Sequence, residues 1–258
     1  MSEREFRLLR WLVEMGADEA IEAAPNDRFA PKAPAPVLPA RAANPPPSEP
    51  VKAAAVIGNT SAREAAQAAT TLDELKAAVA AFEGCALRRT ATNTVFADGV
   101  PGAPLMIIGE APGADEDRIG LPFVGRSGQL LDRMLAAIGY DRERNAYITN
   151  ILFWRPPGNR DPTDAETEAC LPFVWRHIAL GRPRVVMLCG NIAIKALLGR
   201  TGITRLRGRW LALEVPGLDR PVPAMPTYHP SYLLRQPARK GEAWHDLLSV
   251  QSKLESSE

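Results

Sequence analysis

Between Leu105 and Met225, short apolar runs alternate with segments of helical periodicity, and this alternation restricts the fold more than any other feature of the 258-residue chain. The runs Leu105–Glu110, Ala146–Asn150, Arg184–Gly190 and Val222–Met225 have the length of strands, while Gly128–Ile138, Asp164–Leu180 and Asn191–Leu198 repeat apolar residues at helical spacing. Strands separated by helices pair in parallel, because each helix carries the chain back across the sheet, and helices then cover both faces. In such sheets ligands bind beyond the carboxyl ends of the strands. The residues that follow each strand are therefore the candidates for chemistry.

The remainder of the chain is organised around that region. Thr71-Leu-Asp-Glu-Leu opens with a capping signal, and Leu72, Leu75, Val79 and Phe82 extend it as a helix leading into the alternating part. Nine of the 24 prolines fall between Pro25 and Pro50, in an Ala/Pro-rich stretch that cannot pack a core and reads as a disordered linker over residues 24–60. Before it, Phe6, Leu9, Trp11, Leu12 and Met15 give residues 1–23 an amphipathic stripe, a docking face for a protein partner that no residue identifies. The expected folded domain is residues 61–258. No run reaches the roughly 18 apolar residues of a membrane-spanning helix, and the N-terminus lacks the pattern of a secretory signal. Three scattered cysteines make no disulfide framework, which fits a reducing, cytosolic setting.

A formal charge of +1 argues at first against nucleic acid, but it averages two unlike halves. Residues 1–117 hold 11 basic and 17 acidic side chains, whereas residues 118–258 hold 20 basic and 13 acidic. The basic half contains most of the strand ends.

The first strand runs into Gly109-Glu-Ala-Pro-Gly-Ala-Asp-Glu-Asp117, a turn whose exposed amides suit an anion but whose three final carboxylates favour polar or water-activating work. Next comes Phe123, on the glycine-flanked loop Gly120–Gly125, well placed to stack on a planar ligand. The second strand ends at Thr149-Asn150, and an asparagine amide, both donor and acceptor, matches the edge of a pyrimidine-like ring. Beyond it, Arg155 and Arg160 flank a rigid Pro-rich loop. The last strand delivers Tyr228-His-Pro-Ser-Tyr-Leu-Leu-Arg235. In isolation His229 reads as a structural histidine, yet two leucines beside an arginine on a strand-end loop suit entry into a base stack.

Together, Gly109-Glu-Ala-Pro-Gly with Glu116-Asp117, Pro122-Phe-Val-Gly125, Thr149-Asn150, Arg155-Pro-Pro-Gly-Asn159 and His229-Pro-Ser-Tyr-Leu-Leu-Arg235 closely resemble, in order and spacing, the family 4 uracil-DNA glycosylases of bacteria and archaea. The resemblance runs from about residue 83 to 250. It implies a doubly wound three-layer α/β fold with a central, mostly parallel four-stranded sheet. It also implies a monomeric, cytosolic, nucleoid-associated repair enzyme that flips uracil out of DNA and cuts its N-glycosidic bond, since that bond is unreachable inside the stack.

By similarity Phe123 stacks on uracil beside Ala111, Asn150 binds the polar edge, and His229 neutralises charge growing on O2 as the base leaves. Ser231, Leu233 and Arg235 meet DNA, with Leu233 filling the gap left by the flipped nucleotide and Arg235 gripping phosphate. Other uracil glycosylases place an aspartate where this chain has Ala111, and a methyl group cannot orient water. Glu110, Glu116 and Asn159 remain as candidates, Glu116 with Asn159 being favoured to position the water.

The family also implies a 4Fe–4S cluster on four cysteines. Cys85 and Cys170 match two of those positions, while Phe82 and Trp154 occupy the other two and cannot ligate iron. Cys189, inside an apolar strand, reads as a small buried residue. The expectation is a member without cofactor that has filled the space with rings. The alternative is a catalytically impaired, DNA-binding member of the superfamily. A covalently trapping relative would carry an Arg-rich insertion where this chain has Ala224–Tyr228. A nucleotide-binding protein would carry a phosphate-loop motif, and none follows any strand.

Overall fold

The structure, a computed structural model, describes residues 52–256. The helix expected over residues 1–23 and most of the linker lie outside the described residues. Helix α1 (Lys52–Ala68) begins within the stretch read as linker over residues 24–60. Its sequence is rich in alanine, the best helix former, and Ala62 and Ala66 are buried on one face. Helix α2 (Leu72–Ala81) follows, with the Thr71 hydroxyl accepting from the Glu74 amide at 3.2 Å as the capping signal requires.

The sheet has six strands, two more than expected. β2 (Leu105–Gly109), β3 (Ala146–Asn150), β4 (Val185–Cys189) and β6 (Val222–Thr227) are the anticipated four and pair in parallel in the order β3-β2-β4-β6. Two three-residue edge strands, β1 (Ala97–Gly99) and β5 (Leu211–Leu213), pair antiparallel to β3 and β6. The residues of β2, β3 and β4 are buried throughout, which is why each reads as an unbroken apolar run rather than an alternating one.

Five helices follow the first three parallel strands of the chain. α3 (Ala114–Ile119) and α4 (Arg126–Ala136) follow β2, α5 (Asp164–Gly181) follows β3, and α6 (Asn191–Leu198) and α7 (Ile203–Leu206) follow β4. α8 (Pro230–Arg235) and α9 (Lys240–Glu255) complete the described chain. Two apolar clusters result, one on each face of the sheet. Phe153, Phe173 and Ile178 centre one, and Leu131, Leu135, Leu233 and Leu247 the other. Among the described residues no helix is long and apolar enough to cross a membrane.

Candidate active site

Parallel strands bring their carboxyl ends to one edge of the sheet, and there a cavity of about 350 Å³ opens beside the ends of β2, β3 and β6. Glu110, Phe123, Asn150, Asn159 and His229 all line it, as do Ala111, Glu116, Ser231 and Arg235. Residues 120 positions apart in sequence are thus joined in one site. Phe123 and Asn150 converge on Gly109: a Cβ there would come within 2.4 Å of the Asn150 Oδ1 and 2.5 Å of the Phe123 ring. Only glycine leaves room for both side chains. The Phe123 ring also lies 5.4 Å from the His229 ring, the two planes inclined by 28°.

Asn150 is only 2% exposed, yet its amide has no hydrogen-bond partner among the described residues. A buried amide left without protein partners costs free energy unless water or a ligand satisfies it, so its place on the cavity wall is informative. Backbone strain points to the same place. Three non-glycine residues among those described have left-handed backbone, and two of them, Phe123 and Asn159 (both φ 54°), line this cavity. Such conformations cost on the order of 1–3 kcal/mol each and persist where surrounding contacts enforce them.

His229 stands at the junction of β6 and α8. The Ser231 amide and hydroxyl both lie against its Nδ1, at 3.2 and 2.8 Å, so Nδ1 is an acceptor and the ring proton sits on Nε2. Burial, and secondarily the Arg235 guanidinium, lower its pKa to about 4. At neutral pH it is an uncharged ring with one N–H to donate. Ser231 therefore orients the histidine.

The carboxylates divide sharply. Glu116 accepts at Oε1 from the amides of Val124 and Gly125, both at 2.9 Å, and at Oε2 from Gly113 at 3.1 Å. Both oxygens thus tie the Phe123 loop to the turn after β2. Glu110 is different: one oxygen lies over Gly190 and accepts from the Ile192 amide at 3.3 Å, and burial pushes its pKa up. The Asn159 Oδ1 accepts from Arg155 Nε at 2.7 Å. Asp161, which sequence reasoning passed over, also lines the cavity. Its position two residues after Asn159 on the same rigid loop was the available signal.

The two leucines of the last motif differ in exposure. Leu233 is 1% exposed, packed in the core below α8, because the loop is helical from Pro230 and turns this side chain inward. The next residue, Leu234, is partly exposed, and Arg235 is exposed.

On the other side of β3, the four positions matched to a cluster do not provide four thiolates. Cys85 and Cys170 are buried, and the neighbouring Cys85 thiol together with burial pushes the Cys170 thiol well up. The Phe82 ring packs edge-on against Phe173 at 5.0 Å. Trp154, 1% exposed, donates its indole N–H to the Thr94 hydroxyl at 3.0 Å. Among the described residues no group of three or more His, Cys, Asp or Glu could hold a metal ion. A 4Fe–4S cluster does not fit these residues. Cys189 lies buried in β4, where burial raises its thiol pKa.

Residues 96–248 match the uracil DNA glycosylase superfamily. Similar proteins include a type-4 uracil-DNA glycosylase of Pyrobaculum aerophilum, 38% identical over 181 residues that cover 68% of this chain and 91% of the relative. Another, from Archaeoglobus fulgidus, is 38% identical over 70% of this chain and 92% of the relative. The type-4 uracil-DNA glycosylase of Thermotoga maritima is 38% identical over 58% of this chain and 77% of its own length.

Proposed function

The chain belongs to the uracil DNA glycosylase superfamily and stands among its type-4 members, and on that premise we propose that it flips uracil out of DNA and hydrolyses the N-glycosidic bond, leaving an abasic site. The observation that carries this reading is the Asn150 amide, buried on the cavity wall with donor and acceptor both free of protein partners. A pyrimidine edge offering one carbonyl and one N–H satisfies both. DNA binding alone would need no such group.

In the reaction the C1′–N1 bond breaks and its electron pair leaves with uracil, charge building on O2. The neutral His229 donates its Nε2–H to that oxygen, an interaction that strengthens as the charge grows. Water adds its oxygen to C1′ and its proton ends on the departing base. Because the oxygens of Glu116 are held by three amides, Glu110 is the better candidate to orient that water and stabilise the cationic sugar. Its burial raises its pKa in the direction a general base needs. The Asn159 amide lies across the same cavity as its partner.

Leu234 replaces Leu233 as the side chain that enters the base stack, with Arg235 and the basic C-terminal half meeting phosphate. The chain works without a 4Fe–4S cluster, the space being taken by Phe82 and Trp154. Stoichiometric iron and sulfide in anaerobically prepared protein would overturn that statement. The activity itself is tested on uracil-containing oligonucleotides with thymine controls. Abasic sites are expected with uracil alone, and their absence on both single and double strands would leave the non-catalytic, DNA-binding reading.

A further inference from the structure

Phe123 occupies a backbone conformation that a residue with a side chain avoids, so something must hold it there. The holding group comes from outside its loop. Arg142, between α4 and β3, donates from Nη2 to the Phe123 carbonyl at 2.9 Å and from Nη1 to the Pro122 carbonyl at 3.2 Å. The same guanidinium bonds Asp98 on β1 at 2.7 Å from Nη1, and Asp132 on α4 at 2.7 Å from Nη2 and 3.1 Å from Nε. All five donors of the planar fork are engaged, in directions that a lysine ammonium cannot reproduce.

Arg142 is itself fixed. Asp141 accepts from the amides of Glu143 and Arg144 at 3.0 and 2.9 Å, and its own amide donates to Asn145 Oδ1 at 2.8 Å. This closed turn leads directly into β3, whose last residue is Asn150. From the opposite side Gly128 admits the Phe123 carbonyl, since a Cβ at Gly128 would lie 1.8 Å from that oxygen. The carbonyl is thus confined between a donor that attracts it and a helix surface shaped to receive it.

We propose that Arg142 is the positioning residue of the base-stacking ring: by binding the consecutive carbonyls of Pro122 and Phe123 it maintains the left-handed turn that sets Phe123 against Gly109 and Asn150. Asp98 and Asp132 orient the guanidinium for that task. The proposal rests on the reading that Phe123 stacks on uracil.

A double-mutant cycle tests it, with inhibition by free uracil and the single-turnover cleavage rate as readouts. Arg142→Ala is expected to weaken inhibition by uracil about tenfold, the loss typical of a charge-assisted hydrogen bond. Phe123→Ala weakens it at least as much, and the double variant is no weaker than Phe123→Ala alone. A general loss of stability would instead multiply through the cycle. If Arg142→Ala does not fold, Arg142→Lys carries the same cycle, because it keeps the charge between Asp98 and Asp132 while losing the fork. Wild-type inhibition by uracil in the Arg142 variant, or effects that multiply in the double variant, would overturn the role of Arg142 and leave the pocket reading standing. Wild-type inhibition in Phe123→Ala would overturn both.

Discussion

Two regions meet at the end of strand β3 and use their side chains differently. At its tip Asn150 faces the cavity with an amide that no described residue satisfies, while four residues on Trp154 is buried with its one polar atom bonded to Thr94. Around Asn150 the backbone is strained at Phe123 and Asn159. Around Trp154 the contacts are ring on ring, Phe82 on Phe173 and Phe153 on both Phe173 and Trp154. The cavity leaves a polar side chain open to a ligand, whereas the region around Trp154 is filled by contacts between rings. Substitutions on the two sides should therefore fail in opposite ways.

The largest stability effect belongs to the packed side. Trp154→Ala is expected to cost about 3–5 kcal/mol in denaturant unfolding, the range for truncating a large buried aromatic, while the folded fraction still prefers uracil to thymine. Loss of that preference without loss of stability would erase the contrast. On the cavity side Asn150→Asp should lower the single-turnover rate by about 10²–10³-fold, as loss of a preorganised polar contact does, with the melting transition little changed. Cleavage as fast as wild type would remove Asn150 from recognition.

Two neighbouring leucines repeat the contrast within one helix. Leu233→Ala should destabilise by about 2–5 kcal/mol. Leu234→Ala should spare stability and slow cleavage of duplex more than of single strands, since only the duplex needs a wedge. Equal effects at both positions would mean that α8 rearranges on DNA.

The smallest effect is read by pH. Burial holds His229 neutral down to about pH 4 and His177, stacked on Phe96, down to about pH 3. Both lie below the unfolded value of about 6.5, so their neutral forms are the ones the fold favours. The stability this gives is complete above pH 6.5 and is lost as the pH falls towards 4 and then 3. An NMR titration of the His229 ring should find no protonation between pH 7 and 5, and a midpoint near 6.5 would show it open to solvent.

The four parallel strands were legible because strands buried on both faces are short, unbroken apolar runs. Three-residue edges such as Ala97-Asp-Gly99 carry no such signal, and their pairing depends on what lies beside them. Phe123, Asn150 and His229 stood out as candidates because Asn150 ends β3, His229 follows β6 and Phe123 lies on the glycine-flanked loop after α3. The work of Glu116 was hidden, because its partners at Val124 and Gly125 become neighbours only when the loop folds back. Leu233 and Leu234 differ by one helical position, about 100° around the axis, and no motif spacing resolves that. Arg142 belongs to no motif, and its meaning lies in two carbonyls some twenty residues away.

The convergence of Phe123 and Asn150 on Gly109 has an evolutionary reading. One carbon atom added at that position would occupy the ground where ring and amide meet, while the basic half, α8 and Arg235 would remain as they are. The route from a repair enzyme to a silent reader of DNA is then a single nucleotide change in a glycine codon. Any relative with alanine there is a candidate for having taken it.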